Sequence, residues 1–194
     1  MPTRVSLIAH GTTRDLRSAT FGGDAPLDDV GRRKAESLAA SIGKVDSVFV
    51  SPTLRARETA AAFGLTATVD ERLRDCDFGR WTGLKFNQVL VREPFKLFSW
   101  IKNPATAPHG GETIPSVMQR VAAWIGERGK DSGHTVAITH AAVIRAAIVH
   151  VIEAELRSFW RIDVVPLSLT DLRTNGRRWV LRSLAPMSAS GEPQ

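Results

Sequence analysis

Val5-Ser6-Leu7-Ile8-Ala9-His10-Gly11 is a short apolar run that stops at an imidazole and a glycine. Such a run reads as a buried strand ending in a turn. The pattern returns at residues 135–139, where the apolar run ends in His140. Val48-Phe49-Val50 is another strand and leads into Ser51-Pro52, where Ser51 is placed to cap a helix and Pro52 to fit its first turn. Residues 67–70 add a brief strand. Helical spacing covers residues 31–40, with Ala35, Leu38 and Ala39 opposite Arg32, Arg33 and Glu36. It recurs in Ile114, Val117, Met118, Val121, Trp124 and Ile125, and again over residues 141–152. Residues 85–102 are rich in aromatics, and Pro94 divides them into two short helices. A Pro- and Gly-rich loop, 103–111, follows. Runs at 167–172 and 178–184 flank Asn175-Gly176, a hairpin signal.

Strands alternating with helices predict an α/β fold. The expectation is a three-layer α/β/α sandwich whose central sheet is mostly parallel, with an antiparallel edge from the hairpin. One domain is expected over residues 1–185, with about 85–102 as a small lid insert and 186–194 as a disordered tail.

Composition narrows the function classes. The 194 residues are 43% apolar and 24% charged, ordinary values for a globular chain able to bury a core. The net charge of +6 comes from scattered arginines without a basic run, which argues against nucleic acid. A positive cleft suits small anions. The lone cysteine, Cys76, has no partner for an internal disulfide. Residues 1–9 lack the basic segment and apolar core of a signal peptide. No apolar stretch approaches the ~20 residues that cross a bilayer. Cytoplasmic residence is the expectation.

Ligands of open α/β sheets bind beyond the carboxyl ends of the strands. His10 and His140 directly follow strands, and Arg55 lies in the first turn of the helix after Val50. A lone histidine is more often a packing residue. Parallel strands, however, bring all three to one edge, where two imidazoles and a guanidinium make a pocket for a phosphoryl group.

The same residues carry a resemblance. Leu7-Ile8-Ala9-His10-Gly11-Thr12-Thr13 resembles the first histidine motif of the histidine phosphatase superfamily, the phosphoglycerate mutase-like branch 1. Further stretches resemble later family motifs in the same order: Gly23-Asp24-Ala25-Pro26-Leu27-Asp28 with Gly31, then residues 51–60 around Arg55, then 73–83 around Asp75 and Asp77. Gly110-Gly111-Glu112-Thr113 resembles the family's helix entry, and residues 136–145 its second histidine motif.

The resemblance implies a phosphoglycerate mutase-like fold and a phosphatase acting through a phosphohistidine on His10, with Arg55 and His140 holding the phosphoryl oxygens. The attacking nitrogen must be unprotonated, so the other needs an acceptor such as a backbone carbonyl. Asp75 stands near the family's proton-donating glutamate, one methylene shorter, and would need its proton held near neutral pH; Asp77 on the same loop is the second possibility. The family's arginine before the first histidine is replaced by Ala9, and Arg14 or Arg17 are the candidates to substitute. Gly11, Thr12 and Ala141 are further expected substrate contacts, and Thr13 shares with Thr12 the choice between capping and phosphate contact. Glu112 reads as a structural carboxylate at a helix opening, and Arg145 as structural for the His140 loop. Phe86, Phe95, Phe98 and Trp100 are candidates to line a lid. No cofactor and no metal are expected, because no ligand spacing supports one. The expected partner is a small phosphorylated substrate, without nucleic acid or membrane and with a homodimer left open. Ala9 and Asp75 also motivate an alternative, an impaired family member that binds a phosphorylated ligand without turnover.

Overall fold

The computed structural model describes residues 3–188. Six strands form one sheet: β1 (Thr3–Ala9), β2 (Ser47–Val50), β3 (Thr68–Val69), β4 (Gly133–Thr139), β5 (Ser168–Thr174) and β6 (Trp179–Pro186). Their order across the sheet is β3-β2-β4-β1-β5-β6. β4 is parallel to both β1 and β2, and β2 is parallel to β3. β5 runs antiparallel to β1, and β6 returns beside it, so the expected hairpin supplies the antiparallel edge.

Helices cover both faces. On one, Val5, Leu7, Ala9 and Ala137 pack with α6 (Ile114–Arg128) and α7 (Ala141–Val151) through Val121, Trp124 and Ile144. On the other, Ile8, Val50, Val136 and Ile138 meet α2 (Asp29–Leu38) and α3 (Leu54–Ala62) through Ala35, Leu38, Ala56 and Ala60. β1 and β4 are buried on both faces, which explains why their sequences lack polar alternation. Pro94 separates α4 (Phe86–Arg92) from α5 (Pro94–Lys102), as its position predicts.

Two local expectations are corrected. Ser51 does not cap α3. The cap position is Thr53, and the Leu54 amide instead donates to Asp24 Oδ1 at 2.7 Å, a carboxylate from a distant loop. Residues 186–188 of the expected tail continue the fold: Pro186 ends β6 and Met187 N donates to the Leu167 carbonyl at 3.1 Å. The rest of that tail, 189–194, lies outside the described residues.

α1 (Arg14–Arg17) and α2 close the loop after His10. Asp28 caps α2 by accepting from Gly31 N at 2.7 Å, and its other contacts are Thr12 Oγ1 and Arg17 Nε, each at 2.7 Å. Gly31 is set against the chain just after His10: a Cβ there would lie 2.6 Å from the Thr12 carbonyl oxygen and 2.7 Å from Thr12 N. Alanine is the better helix former by ~1 kcal/mol, yet this backbone contact leaves no room for it. Gly31→Ala is expected to destabilise the protein by about 1–3 kcal/mol, the usual scale of overpacking. Urea unfolding checks this, and an unchanged or raised midpoint would refute it.

Candidate active site

Because β1, β2 and β4 are mutually parallel, their carboxyl ends share one edge. His10 follows β1 and His140 follows β4. The ladder continues through the first of these, since His10 N donates to the Thr139 carbonyl at 2.9 Å. The two imidazole rings stand 5.1 Å apart at 66°. Arg55, second residue of α3, reaches in from β2, and all three side chains are buried.

Arg55 joins the group. Its Nε donates to His10 Nε2 at 3.1 Å, and its Nη2 donates to His140 Nδ1 at 3.2 Å and to Asp75 Oδ2 at 2.9 Å. Its Nη1 donates to the Gly23 carbonyl. A guanidinium can only donate, so the ring nitrogens facing it carry lone pairs and the opposite nitrogens carry the protons. His10 Nδ1 accordingly meets the Gly11 carbonyl at 2.8 Å, and His140 Nε2 meets Ser51 Oγ at 2.7 Å. Burial drives the His10 pKa below its ordinary value, with His140 and Arg55 adding to the effect. Burial likewise lowers His140, followed by the charges of Arg55 and Arg120. Both rings are neutral at pH 7.

Asp75 sits opposite the histidines, its Oδ1 accepting from Cys76 N at 2.9 Å. Its loop is fixed by Arg120 of α6. Arg120 Nη1 donates to the carbonyls of Arg72 and Arg74, and Nη2 to that of Asp75, at 2.7–3.0 Å. Glu112 holds Arg120 through two bonds of 3.0 Å and also accepts from Arg74. The Glu112 carboxylate therefore serves the Asp75 loop more than the helix end, which Thr113 caps. Asp77 is turned away, exposed, and accepts from Gly79 N. The Cys76 thiol is pushed up, first by burial and then by Asp75.

A cavity of about 640 Å³ opens beside these groups and is lined by His10, Arg55, Asp75, His140 and Ala141, together with Thr13. Thr12 instead bonds Asp28, and Gly11 N donates to Thr59 Oγ1 at 3.0 Å. Arg14 and Arg17 are not brought to the cavity. The short α1 turns both outward, Arg14 being 89% exposed and Arg17 held by Asp28. The arginine that lines the cavity besides Arg55 is Arg145, whose Nε donates to the Ile162 carbonyl at 2.8 Å. Burial lowers its pKa from the ordinary value, and the charges of Asp163 and Asp75 oppose that shift. Of the lid aromatics, Phe86 and Trp100 line the cavity, while Phe95 and Phe98 face outward. Among the described residues, no group of three or more His, Cys, Asp or Glu side chains is placed to hold a metal, and no helix is long and apolar enough to cross a membrane.

The sequence profile of the histidine phosphatase superfamily (branch 1) matches residues 5–186. A bifunctional protein of Mycobacterium tuberculosis is 30% identical over 193 residues, covering 90% of this chain and 52% of that protein. The chain thus spans about half the length of that relative. Phosphoserine phosphatase 1 of Hydrogenobacter thermophilus is 26% identical over 170 residues, 83% of this chain and 81% of its own. A solved mycobacterial glucosyl-3-phosphoglycerate phosphatase in complex with VO3 superposes with a TM-score of 0.86 at 25% identity, over 96% of this chain and 100% of that one. The sandwich is therefore of the phosphoglycerate mutase-like kind expected from the motifs.

The buried neutral imidazoles have a consequence for stability. His10 and His140 resist protonation in the folded protein, whereas the unfolded chain takes up protons at their ordinary value of 6.5. The unfolded state then binds more protons, so stability falls as pH drops below about 6.5, by up to about 1.4 kcal/mol per histidine for each further unit. Thermal scans at constant ionic strength should show the melting temperature declining from pH 6.5, above the carboxylate range. A flat profile down to pH 5 would contradict this assignment.

Proposed function

The chain belongs to branch 1 of the histidine phosphatase superfamily, and from that membership we propose that it is a phosphatase, hydrolysing a small phosphomonoester through a phosphohistidine on His10. The observation that carries this reading is the lone pair of His10 Nε2, held toward Arg55 at 3.1 Å while the Gly11 carbonyl takes the Nδ1 proton. A neutral imidazole with its lone pair facing a fixed guanidinium is a nucleophile beside an anion site.

Phosphoryl oxygens entering the pocket become the acceptors for Arg55, in place of His10 Nε2, His140 Nδ1 and Asp75. The ester enters as its monoanion and leaves its proton on Asp75, which the phosphoryl group has displaced from Arg55; His10 Nε2 then attacks phosphorus, the bond to the ester oxygen breaks, and Asp75 gives that oxygen the proton. Water attacks the phosphohistidine next. Its proton goes to Asp75, the P–N bond breaks, phosphate leaves and His10 is neutral again. The gain comes mainly from fixed donors around a charge-dispersed phosphoryl group. Arg145 of α7 lines the same cavity and adds a positive charge to it. No step needs a metal.

His10→Ala is expected to abolish turnover of an aryl phosphate. Arg55→Lys, which loses the planar fork, should lower kcat/KM by ~10²–10³, the scale of one lost preorganised donor. Rapid quench of the unaltered protein should trap a phosphoenzyme stable in alkali and labile in acid, absent from the His10 variant, and turnover should persist in chelator. A protein that binds phosphate but turns over no ester would instead be the impaired binder that Ala9 favours.

A further inference from the structure

Beyond its phosphoryl end, the cavity is walled by the rings of Phe21, Phe78, Phe86, Trp100, Phe159 and Trp160. These rings form a fixed cage. Trp100 meets Trp160 edge-on with centroids 4.6 Å apart, and Phe159 meets Trp160 at 4.8 Å. In the same cluster, Phe21 lies 5.4 Å from Phe78 and 6.0 Å from Trp100, and stacks on Phe86 at 6.1 Å. Trp81 backs Phe21 at 5.5 Å from beneath and is fully buried. Walls so tightly backed by other rings cannot turn away to expose polar groups.

Few polar side chains line the cavity outside its phosphoryl end, namely Thr13, Asp15, Thr20 and Arg145, and beside them stand the unpartnered indole N–H groups of Trp100 and Trp160. Thr13 caps α1 by accepting from Leu16 N, and Thr20 Oγ1 lies 2.9 Å from Ser18 Oγ. Asp15 faces Arg14 at 3.8 Å. Arg145 keeps its Nε on the Ile162 carbonyl. A sugar or amino-acid body placed here brings several hydroxyl or charged groups with few partners to meet them, and buried polar groups without partners weaken binding. An apolar ring meets favourable edge and face contacts throughout.

Resting on the phosphatase reading, we propose that the alcohol half of the substrate is apolar and ring-bearing, so that the chain selects arylalkyl or aryl phosphate monoesters over polyol and amino-acid phosphates. The ring lies against the wall that Phe86, Phe21, Trp100 and Trp160 form together. The ester oxygen stays at the end where His10, Arg55 and Asp75 meet. Phosphate anchors one end, and the aromatic walls choose the other.

Two measurements test this. The first compares kcat/KM for 2-phenylethyl phosphate with that for O-phosphoserine, both primary alkyl esters. The arylalkyl ester should be preferred at least ~10-fold, mainly through KM. The second follows the quenching of tryptophan emission by phosphonates, which do not turn over. Benzylphosphonate should bind at least ~10-fold more tightly than methylphosphonate. Phe86→Ala removes a half-exposed ring and should shrink that gap by about 3- to 10-fold, and Phe86→Trp should restore it. Equal binding of the two phosphonates, or a preference for phosphoserine, overturns the proposal while leaving the phosphatase reading intact. Tighter benzylphosphonate binding without turnover of any ester sustains the chamber and removes the phosphatase reading.

Discussion

A single buried cation governs this site. Arg55 is only 5% exposed, and a charge so placed must be fully engaged or it destabilises the fold. Asp75 is its nearest carboxylate, at 2.9 Å, and Asp24 lies 3.8 Å from Nη1. Its remaining protons go to the Gly23 carbonyl and to the lone pairs of His10 and His140. Neither imidazole can satisfy it while carrying a proton on the facing nitrogen. The need to pair one guanidinium thus sets the tautomers of both rings, and leaves His10 with its lone pair on Nε2, the nitrogen that the proposed mechanism uses.

That arrangement depends on a scaffold fixed at longer range. Parallel pairing of β1, β2 and β4 brings the two histidines and α3 to the same edge, but the Asp75 loop belongs to no strand. It is held by Arg120, whose donors fall on three consecutive regions of that loop, and Arg120 is itself oriented by the two-point contact with Glu112. An acidic residue ahead of α6 therefore reaches the reacting carboxylate through one arginine. On the other side, Asp28 ties Thr12, Arg17 and the start of α2 together. The polar residues around His10 are in this way committed to rigidity, which is what a site without moving parts at its phosphoryl end requires.

The strands were legible because fully buried parallel strands leave continuous apolar runs, and their ends could be read from His10 and His140 directly. Pro94 and Asn175-Gly176 act through their own backbone restrictions, so the paired short helices and the hairpin followed from sequence. Ser51 was misread because helix capping is a local rule. A carboxylate thirty residues away supplies the α3 amide contact, and the Ser51 hydroxyl is drawn to His140. Arg14 and Arg17 looked available for the role left open by Ala9 because they are near His10 in sequence. The turn of α1 and the charge of Asp28 send them outward. Arg145 reads from sequence as structural for the His140 loop, since nothing local marks its side chain as reaching the cavity; that direction follows from where Phe159 and Ile162 pack.

Ala9 and the aromatic chamber bear on one another. With alanine at position 9 in place of the arginine that the motif resemblance implies, fewer cationic donors face the phosphoryl end, and the remaining ones must each act more strongly. Rings that exclude water do this. An ion–dipole contact gains strength as the effective dielectric falls, and donors fixed in a dry pocket need no reorganisation when charge moves onto the phosphoryl oxygens. The same dryness raises the penalty for a polar alcohol body. Loss of one cation and gain of apolar walls therefore act in the same direction: they favour a substrate whose only strongly hydrated group is the phosphate itself.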